Sequence, residues 1–269
     1  DAGNYNLIQQ TGLTANITKA DLVVTGITAS NRVYNATDVA VLGGTAAITR
    51  LGSDVVTIGG TAAGTFADKN VGNGKAITIT GVTISGTDAG NYNLIQQTGL
   101  TANITKATLT YVAALASSIY GSTPSVNTGT VIGFVGNETS SVLTGTLLFS
   151  TTATSTTHVG SYGITGSGFS SNNYQFVQAV DNATALTINQ KALTITADAR
   201  STTYGTALVL GTAAYAQVGL VNNDSITGVT LKQATNSTVP GTQGAGTYSG
   251  ATDGILASAA QGTGLSNYD

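Results

Sequence analysis

The sequence predicts a mostly β protein: tandem small β-sandwich or β-grasp-like repeat domains arranged as a rod. Three observations carry that expectation. Apolar residues alternate with Thr and Ser at a period of two. Gly and Asn punctuate those runs. A segment of twenty residues occurs twice without a single difference.

The alternation places one strand after another. Ala76-Ile77-Thr78-Ile79-Thr80 and Val82-Thr83-Ile84-Ser85 each present an apolar face and a hydroxyl face, and so does Ala192-Leu193-Thr194-Ile195-Thr196-Ala197. A period of two matches the pleat of a half-buried strand and not the turn of a helix. Val, Ile and Thr also suit that surface. Runs such as Asp68-Lys69-Asn70-Val71-Gly72-Asn73-Gly74 and Ser167-Gly168-Phe169-Ser170-Ser171-Asn172 separate the strands. Gly and Asn tolerate the positive φ that tight hairpin turns require. Helical signals are sparse. The clearest is Val135–Leu143, where Asn137 is placed to cap a turn containing Glu138. Asn222-Asn223-Asp224-Ser225 holds the matching place further on. At most one short helix or turn per repeat is expected.

Repetition sets the domain organisation. Asp1–Ala20 and Asp88–Ala107 are identical, at an offset of 87 residues. A looser copy runs from Asn173-Tyr174 to Lys191-Ala192, and a last Asn267-Tyr268 pair stands near the end. A second marker is a tyrosine shortly after each Lys-Ala: Tyr34, Tyr120 and Tyr204. These markers divide the chain into 1–20, the closing strand of a preceding repeat; 21–107 and 108–192, two full repeats; and 193–269, a repeat that lacks its closing strand. A repeat of about 85 residues can bury roughly 60 % of its unfolded surface, enough for a modest core of its own. At the junctions Ile104-Thr105-Lys106-Ala107 runs straight into Thr108-Leu109-Thr110, and Lys191-Ala192 into Leu193-Thr194. No Gly/Ser or Pro spacer intervenes. Flexible linkers need soft, solvated sequence, so a stiff array of touching repeats is expected.

Composition excludes several functions. Charged residues are only 8 % of the chain, against roughly 25 % in an average domain. Hydrophobic residues reach 41 %, which is not the signature of disorder. The net charge is −3 with no basic patch, so nucleic-acid binding lacks its electrostatic footprint. No run of 18 apolar residues exists to span a membrane as a helix. The absence of Cys fits a secreted protein that does not depend on disulfides. Asp at position 1 and the lack of a leader pattern lead us to expect an internal segment of something longer.

Asp68-Lys69-Asn70-Val71-Gly72, then Lys75-Ala76-Ile77-Thr78, then Asp88-Ala89-Gly90-Asn91-Tyr92-Asn93-Leu94 resembles the YDG repeat of large bacterial adhesins. Where the motif that names the family is expected, this chain has Tyr34-Asn35-Ala36 instead. The second and third repeats resemble the companion MBG repeats of the YGX type. They carry Tyr120-Gly121-Ser122 and Tyr204-Gly205-Thr206, then Gly160-Ser161-Tyr162 and Gly246-Thr247-Tyr248, then Asn-Tyr. The resemblance implies secreted or surface-anchored filamentous proteins of bacteria, with the repeats as stalk. It implies no catalytic residues.

The candidate site residues read accordingly. His158 is the only histidine, and with no Cys and one Glu it has no ligand set for a metal. The eleven Asp are scattered singly, with Asp1, Asp88 and the Asp68 loop the best-placed for Ca²⁺. Gly241–Gly246 lacks the Lys-Ser/Thr and helix of a phosphate loop. Lys19, Lys106 and Lys191 recur at junctions, but no acid recurs beside them to form an isopeptide bond. Tyr5, Tyr34, Tyr92, Tyr120, Tyr174, Tyr204 and Tyr268 form either a sugar-binding ladder or, as the favoured reading, structural corners with bonded hydroxyls. We therefore assign no catalytic, cofactor or metal residue and expect no enzyme.

Two functions remain: a structural stalk or fibre segment of an extracellular adhesin or matrix filament, and a carbohydrate- or surface-binding adhesin module. The composition favours the stalk, because aromatic residues are only 6 % and mostly recur at equivalent places. The expected partners are neighbouring repeats, further copies of the same protein added head to tail by strand addition, or a polysaccharide. The expected location is extracellular or on the bacterial cell surface. The surplus strand in 1–20 and the strand missing after Tyr268 match. Either the sequence is a window on a longer chain, or residues 1–20 complete the third repeat of another copy.

Overall fold

The computed structural model describes residues 1–233, 238–249 and 254–269, so the third repeat is described in part. The architecture is mostly β, as predicted, in several small sheets. Among the described residues the helical segments are 3-10 turns of three to five residues. None is long and apolar enough to cross a membrane. The chain forms two compact units. One comprises Asp1–Thr108, Phe134–Leu143 and Ser170–Gln175; the other comprises Leu109–Gly133, Thr144–Phe169 and Phe176–Asp269. The first unit thus holds the first repeat with two loops of the second.

In the first unit the opening and closing strands of the repeat lie side by side. Ala20–Val23 runs parallel to Tyr92–Ile95, and Arg32–Val33 runs parallel to Thr101–Thr105. Parallel neighbours need a long crossover, here supplied by the rest of the repeat. Thr101–Thr105 also pairs antiparallel with the long strand Gly72–Ser85, whose other neighbour is Thr57–Phe66. Alternation is plain in Gly72–Ser85, where Ile77, Ile79 and Val82 are buried between exposed threonines. Leu22, Val56 and Tyr92 form one core cluster. Each aliphatic side chain buried there contributes about 1.5–3 kcal/mol.

Glycine has a use the sequence reading missed. It was expected in turns, yet Gly60 and Gly81 face each other inside paired strands at φ 75° and 85°. A Cβ on Gly60 would lie 2.1 Å from the Gly81 carbonyl oxygen, and one on Gly81 would lie 2.2 Å from the Thr61 oxygen. The register shifts between Gly60 and Ala63, so the pair is a bulge that lets a strand of 14 residues bend. Gly145 and Gly168 repeat the device in the second unit.

The two identical segments adopt different states. In Asp88–Ala107, Tyr92, Ala102 and Ile104 are buried. In Asp1–Ala20 the matching Tyr5 and Ile17 are 82 % and 100 % exposed, and no strand precedes Ala20.

In the second unit Ala116–Ile119 runs parallel to Leu186–Asn189, which pairs antiparallel with Gly160–Tyr162. Tyr111, Phe149, Ile164, Leu186 and Ile188 belong to its main core. The Tyr111 ring stacks on Phe176 with centroids 5.2 Å apart. Buried Asn182 stands in for a strand: its Oδ1 accepts from the Ala113 N–H at 2.8 Å and its Nδ2 donates to the Tyr111 carbonyl at 3.0 Å. A smaller core of Leu210, Val229 and Leu231 lies where Ser225–Gln233 pairs with Ile255–Thr263.

The strands on either side of Lys106 follow one another closely. That residue alone separates the strands Thr101–Thr105 and Ala107–Ala113.

Candidate functional site: tyrosine–carboxylate clusters

One local element recurs three times and builds the site. Leu51–Asp54, Val135–Glu138 and Val221–Asp224 are tight turns in which the N–H of the acid donates to the carbonyl three residues earlier, at 3.1, 3.0 and 3.0 Å. Positive φ at Gly52, Gly136 and Asn222 makes the turns possible, and Asn137 and Asn223 extend the left-handed stretch to two residues. In each turn the first residue's N–H donates to a tyrosine hydroxyl: Leu51 to Tyr92 at 2.9 Å, Val135 to Tyr174 at 3.2 Å and Val221 to Tyr268 at 2.9 Å. Each hydroxyl then donates to the acid that ends the turn, Asp54 at 2.6 Å, Glu138 at 2.7 Å and Asp224 at 2.8 Å.

Two of the three pairs hold a second tyrosine. Tyr34 donates to Glu138 Oε1 at 2.7 Å, and Tyr120 donates to Asp224 Oδ2 at 2.9 Å. The two rings of each cluster meet edge to face, Tyr34 on Tyr174 at 5.4 Å and Tyr120 on Tyr268 at 5.6 Å. Such packing favours the quadrupoles of both rings. Each closing strand holds the second tyrosine's backbone: the Tyr34 N–H donates to the Thr105 carbonyl and the Tyr120 N–H to the Asn189 carbonyl. Both clusters lie within a single unit, the Glu138 cluster in the first and the Asp224 cluster in the second.

In these two clusters the asparagine before the Asn-Tyr tyrosine adds a clamp. Asn173 Oδ1 accepts from the Val71 N–H at 3.0 Å, and Asn267 Oδ1 accepts from the Val159 N–H at 3.1 Å. In sequence terms, acid, tyrosine and asparagine come from one repeat, and what they grip comes from the repeat before it.

Electrostatics reinforces the geometry. Burial pushes the Glu138 carboxyl up, but hydrogen bonds from Lys69, Tyr34 and Tyr174 outweigh it and hold the group below its ordinary value. Lys69 donates to Glu138 Oε1 at 2.8 Å. Burial, with Glu138 beside it, pushes the Tyr174 phenol up to about 12. Burial likewise raises Tyr34, Tyr120 and Tyr268. The phenols therefore stay protonated and donate, and Glu138 stays charged and accepts. Charge-assisted bonds of this kind are about twice as strong as neutral ones.

The other candidate residues take structural places. His158 stacks on Tyr120 at 6.2 Å, and its Nδ1 lies within hydrogen-bond distance of the Asn267 side chain. Asp68 binds Lys75 Nζ at 2.6 Å and the Asn70 N–H at 2.8 Å. Asp88 accepts from the Val55 N–H at 2.8 Å. Among the described residues no three His, Cys, Asp or Glu side chains gather as a metal site. Lys106 donates to the Ser171 carbonyl at 3.0 Å. Gly241 lies in a turn whose carbonyl accepts from the Gly205 N–H. Tyr34, Tyr92, Tyr120, Tyr174 and Tyr268 are buried, which leaves no ring face for a sugar; Tyr5 and Tyr204 are exposed.

Sequence reasoning missed the acids. It paired the Glu138 and Asp224 turns and overlooked Asp54. The signal was present: Leu or Val, two small turn residues and an acid recur at spacings of 84 and 86. It also placed a cap at Asn137, whereas the structure caps the short turn Ser140–Val142 with Thr139, which accepts from the Ser141 N–H.

Residues 18–100 match the YDG domain family, and residues 109–184 match the MBG domain family of the YGX type. No curated protein and no solved structure matches the chain. The chain therefore carries a YDG domain followed by an MBG domain of the YGX type.

Proposed function

We propose that this chain is a structural stalk or fibre segment of a bacterial extracellular adhesin or matrix filament. The observation that carries the reading is the recurrent cluster in which a carboxylate and a tyrosine of one repeat grip a tyrosine of the repeat before it. YDG and MBG domains are associated with adhesin-like and surface proteins. A buried cluster at each junction opposes bending, since tilting one repeat on the next breaks charge-assisted bonds in a poorly solvated place. Stiffness at every junction gives reach, which is what a stalk needs. The reading assigns no catalysis to the chain.

The cavities support a stalk better than a carbohydrate-binding module. One of about 200 Å³ lies beside Tyr34, Glu138 and Tyr174, whose polar groups already bond one another. Ligand pockets run to roughly 300–1,000 Å³. A groove of about 410 Å³ between Ile77, Ile79 and Leu94 has no aromatic ring in its lining.

Small-angle scattering of the dilute chain tests the proposal. A rigid array predicts a radius of gyration well above the compact value, which is about 18 Å for 269 residues. A radius near that value refutes the stalk.

A further inference from the structure

The opening and closing stretches of the first repeat are paired parallel at two places. Ala20–Val23 lies in register with Tyr92–Ile95, and the Val24 N–H continues the ladder to the Ile95 carbonyl at 2.8 Å. Arg32 and Val33 lie in register with Ile104 and Thr105, continued by the Tyr34 N–H to the Thr105 carbonyl at 2.8 Å. Between the two ladders the Gln97 carboxamide takes the place of a strand. Its Oε1 accepts from the Ile27 N–H at 2.9 Å and its Nε2 donates to the Ile27 carbonyl at 2.8 Å.

The second repeat has the same arrangement built from different residues. Ala116–Ile119 pairs parallel with Leu186–Asn189, and the Ala116 and Tyr120 N–H groups extend the ladder to the Ala185 and Asn189 carbonyls. Here Asn182 is the pin, binding the Ala113 N–H and the Tyr111 carbonyl. Ile27 and Ala113 each stand seven residues before a buried tyrosine, Tyr34 or Tyr120. Two carboxamides from dissimilar stretches of sequence thus hold the same backbone position.

Direction decides what such a ladder resists. Tension along the chain draws the opening strand back toward its N-terminus and the closing strand forward toward its C-terminus. In a parallel pair these motions slide one strand past the other, so every rung is loaded at once. In an antiparallel pair both points of pull would lie at one edge, and the rungs would open one by one. We propose that the parallel ladder is a load-bearing clamp with Gln97 and Asn182 as its pins, and that bearing tension along the chain is a further function of these two repeats. The inference rests on the stalk reading for the source of the tension. Scattering measures the stiffness of the dilute chain and rupture measures the clamp, so either can fail alone.

The chain has no cysteine, so two introduced thiols fix the points of pull. Asp21, Asn93 and Lys106 are exposed. In the full chain, Asp21→Cys with Lys106→Cys loads the first repeat in shear. Asp21→Cys with Asn93→Cys instead draws apart two residues that face each other in the ladder, and peels it. Both arrangements act on one fold, and forced unfolding follows the barrier along the pull rather than the equilibrium stability. In optical-tweezers extension at one loading rate, shear should rupture at a force at least about twofold higher than peeling. Gln97→Ala should lower the shear force and leave the peeling force unchanged, because peeling begins at Asn93, before Gln97 is reached. Equal forces in the two geometries would overturn the proposal. So would a loss on Gln97→Ala that is the same in both geometries, or absent from both.

Discussion

The Tyr174 hydroxyl donates to Glu138 Oε2 at 2.7 Å while Tyr34 donates to the other oxygen of the same carboxylate at 2.7 Å. One acid thereby satisfies two buried phenols. Removing it as Glu138→Ala leaves both phenols and Lys69 unpaired. The expected loss is roughly 2–4 kcal/mol in chemical denaturation of the first unit. Glu138→Gln keeps the shape and costs less. Equal stability of the alanine variant and the parent would mean that the cluster is ornamental.

The same carboxylate sets an acid limit. Its folded value lies below the ordinary 4.5, so its contribution is complete above 4.5 and fades as pH falls through the folded value. The stability gap between the parent and Glu138→Gln should therefore be constant near neutrality and shrink below 4.5. A gap that widens on acidification contradicts this assignment.

Tyr174 sets the alkaline limit, with the opposite sign. Its folded value is raised to about 12 from 10.0, so its contribution is complete below 10 and is lost as pH rises toward 12. Ultraviolet titration should show tyrosinate absorbance still rising near 12, and Tyr174→Phe should reduce that rise. A titration with every tyrosine near 10 would show that the ring is not held as described.

The glycine bulge gives a prediction on packing. Gly81 and Gly74 both have positive φ, at 85° and 57°, but a Cβ on Gly74 meets nothing within 4 Å while one on Gly81 meets the Thr61 oxygen at 2.2 Å. Gly74→Ala should cost about 1 kcal/mol for backbone strain alone. Gly81→Ala adds a clash and should cost about 2–4 kcal/mol in total. Similar losses at the two positions would show that the long strand does not need the bulge.

Much of the fold could be read from the sequence. Ile77, Ile79 and Val82 alternate with threonines, and the alternation reports the pleat directly. The close succession of strands around Lys106 was equally plain, because no spacer residues stand there. Parallel pairing of Ala20–Val23 with Tyr92–Ile95 was not legible, since period two is the same for either direction. Nor was the role of Gly60 and Gly81, because a glycine in a bulge and one in a turn look alike in sequence. Tyr5 and Tyr92 mark the deeper limit. They sit in identical twenty-residue segments, yet one is exposed and the other buried, so the difference lies in the neighbours each segment meets. In the site, the recurring tyrosines drew attention and the acids did not, because Asp and Glu alternate in that role.

The central claim is that a tyrosine of one repeat and an acid of the next act together. A double-mutant cycle on Tyr120 and Asp224 tests it most directly, because these residues belong to different repeats and touch at 2.9 Å. Tyr120→Phe, Asp224→Asn and the double variant are compared by chemical denaturation. The account predicts a coupling energy of about 1 kcal/mol or more. Losses that add to within about 0.5 kcal/mol, the behaviour of independent sites, would contradict it.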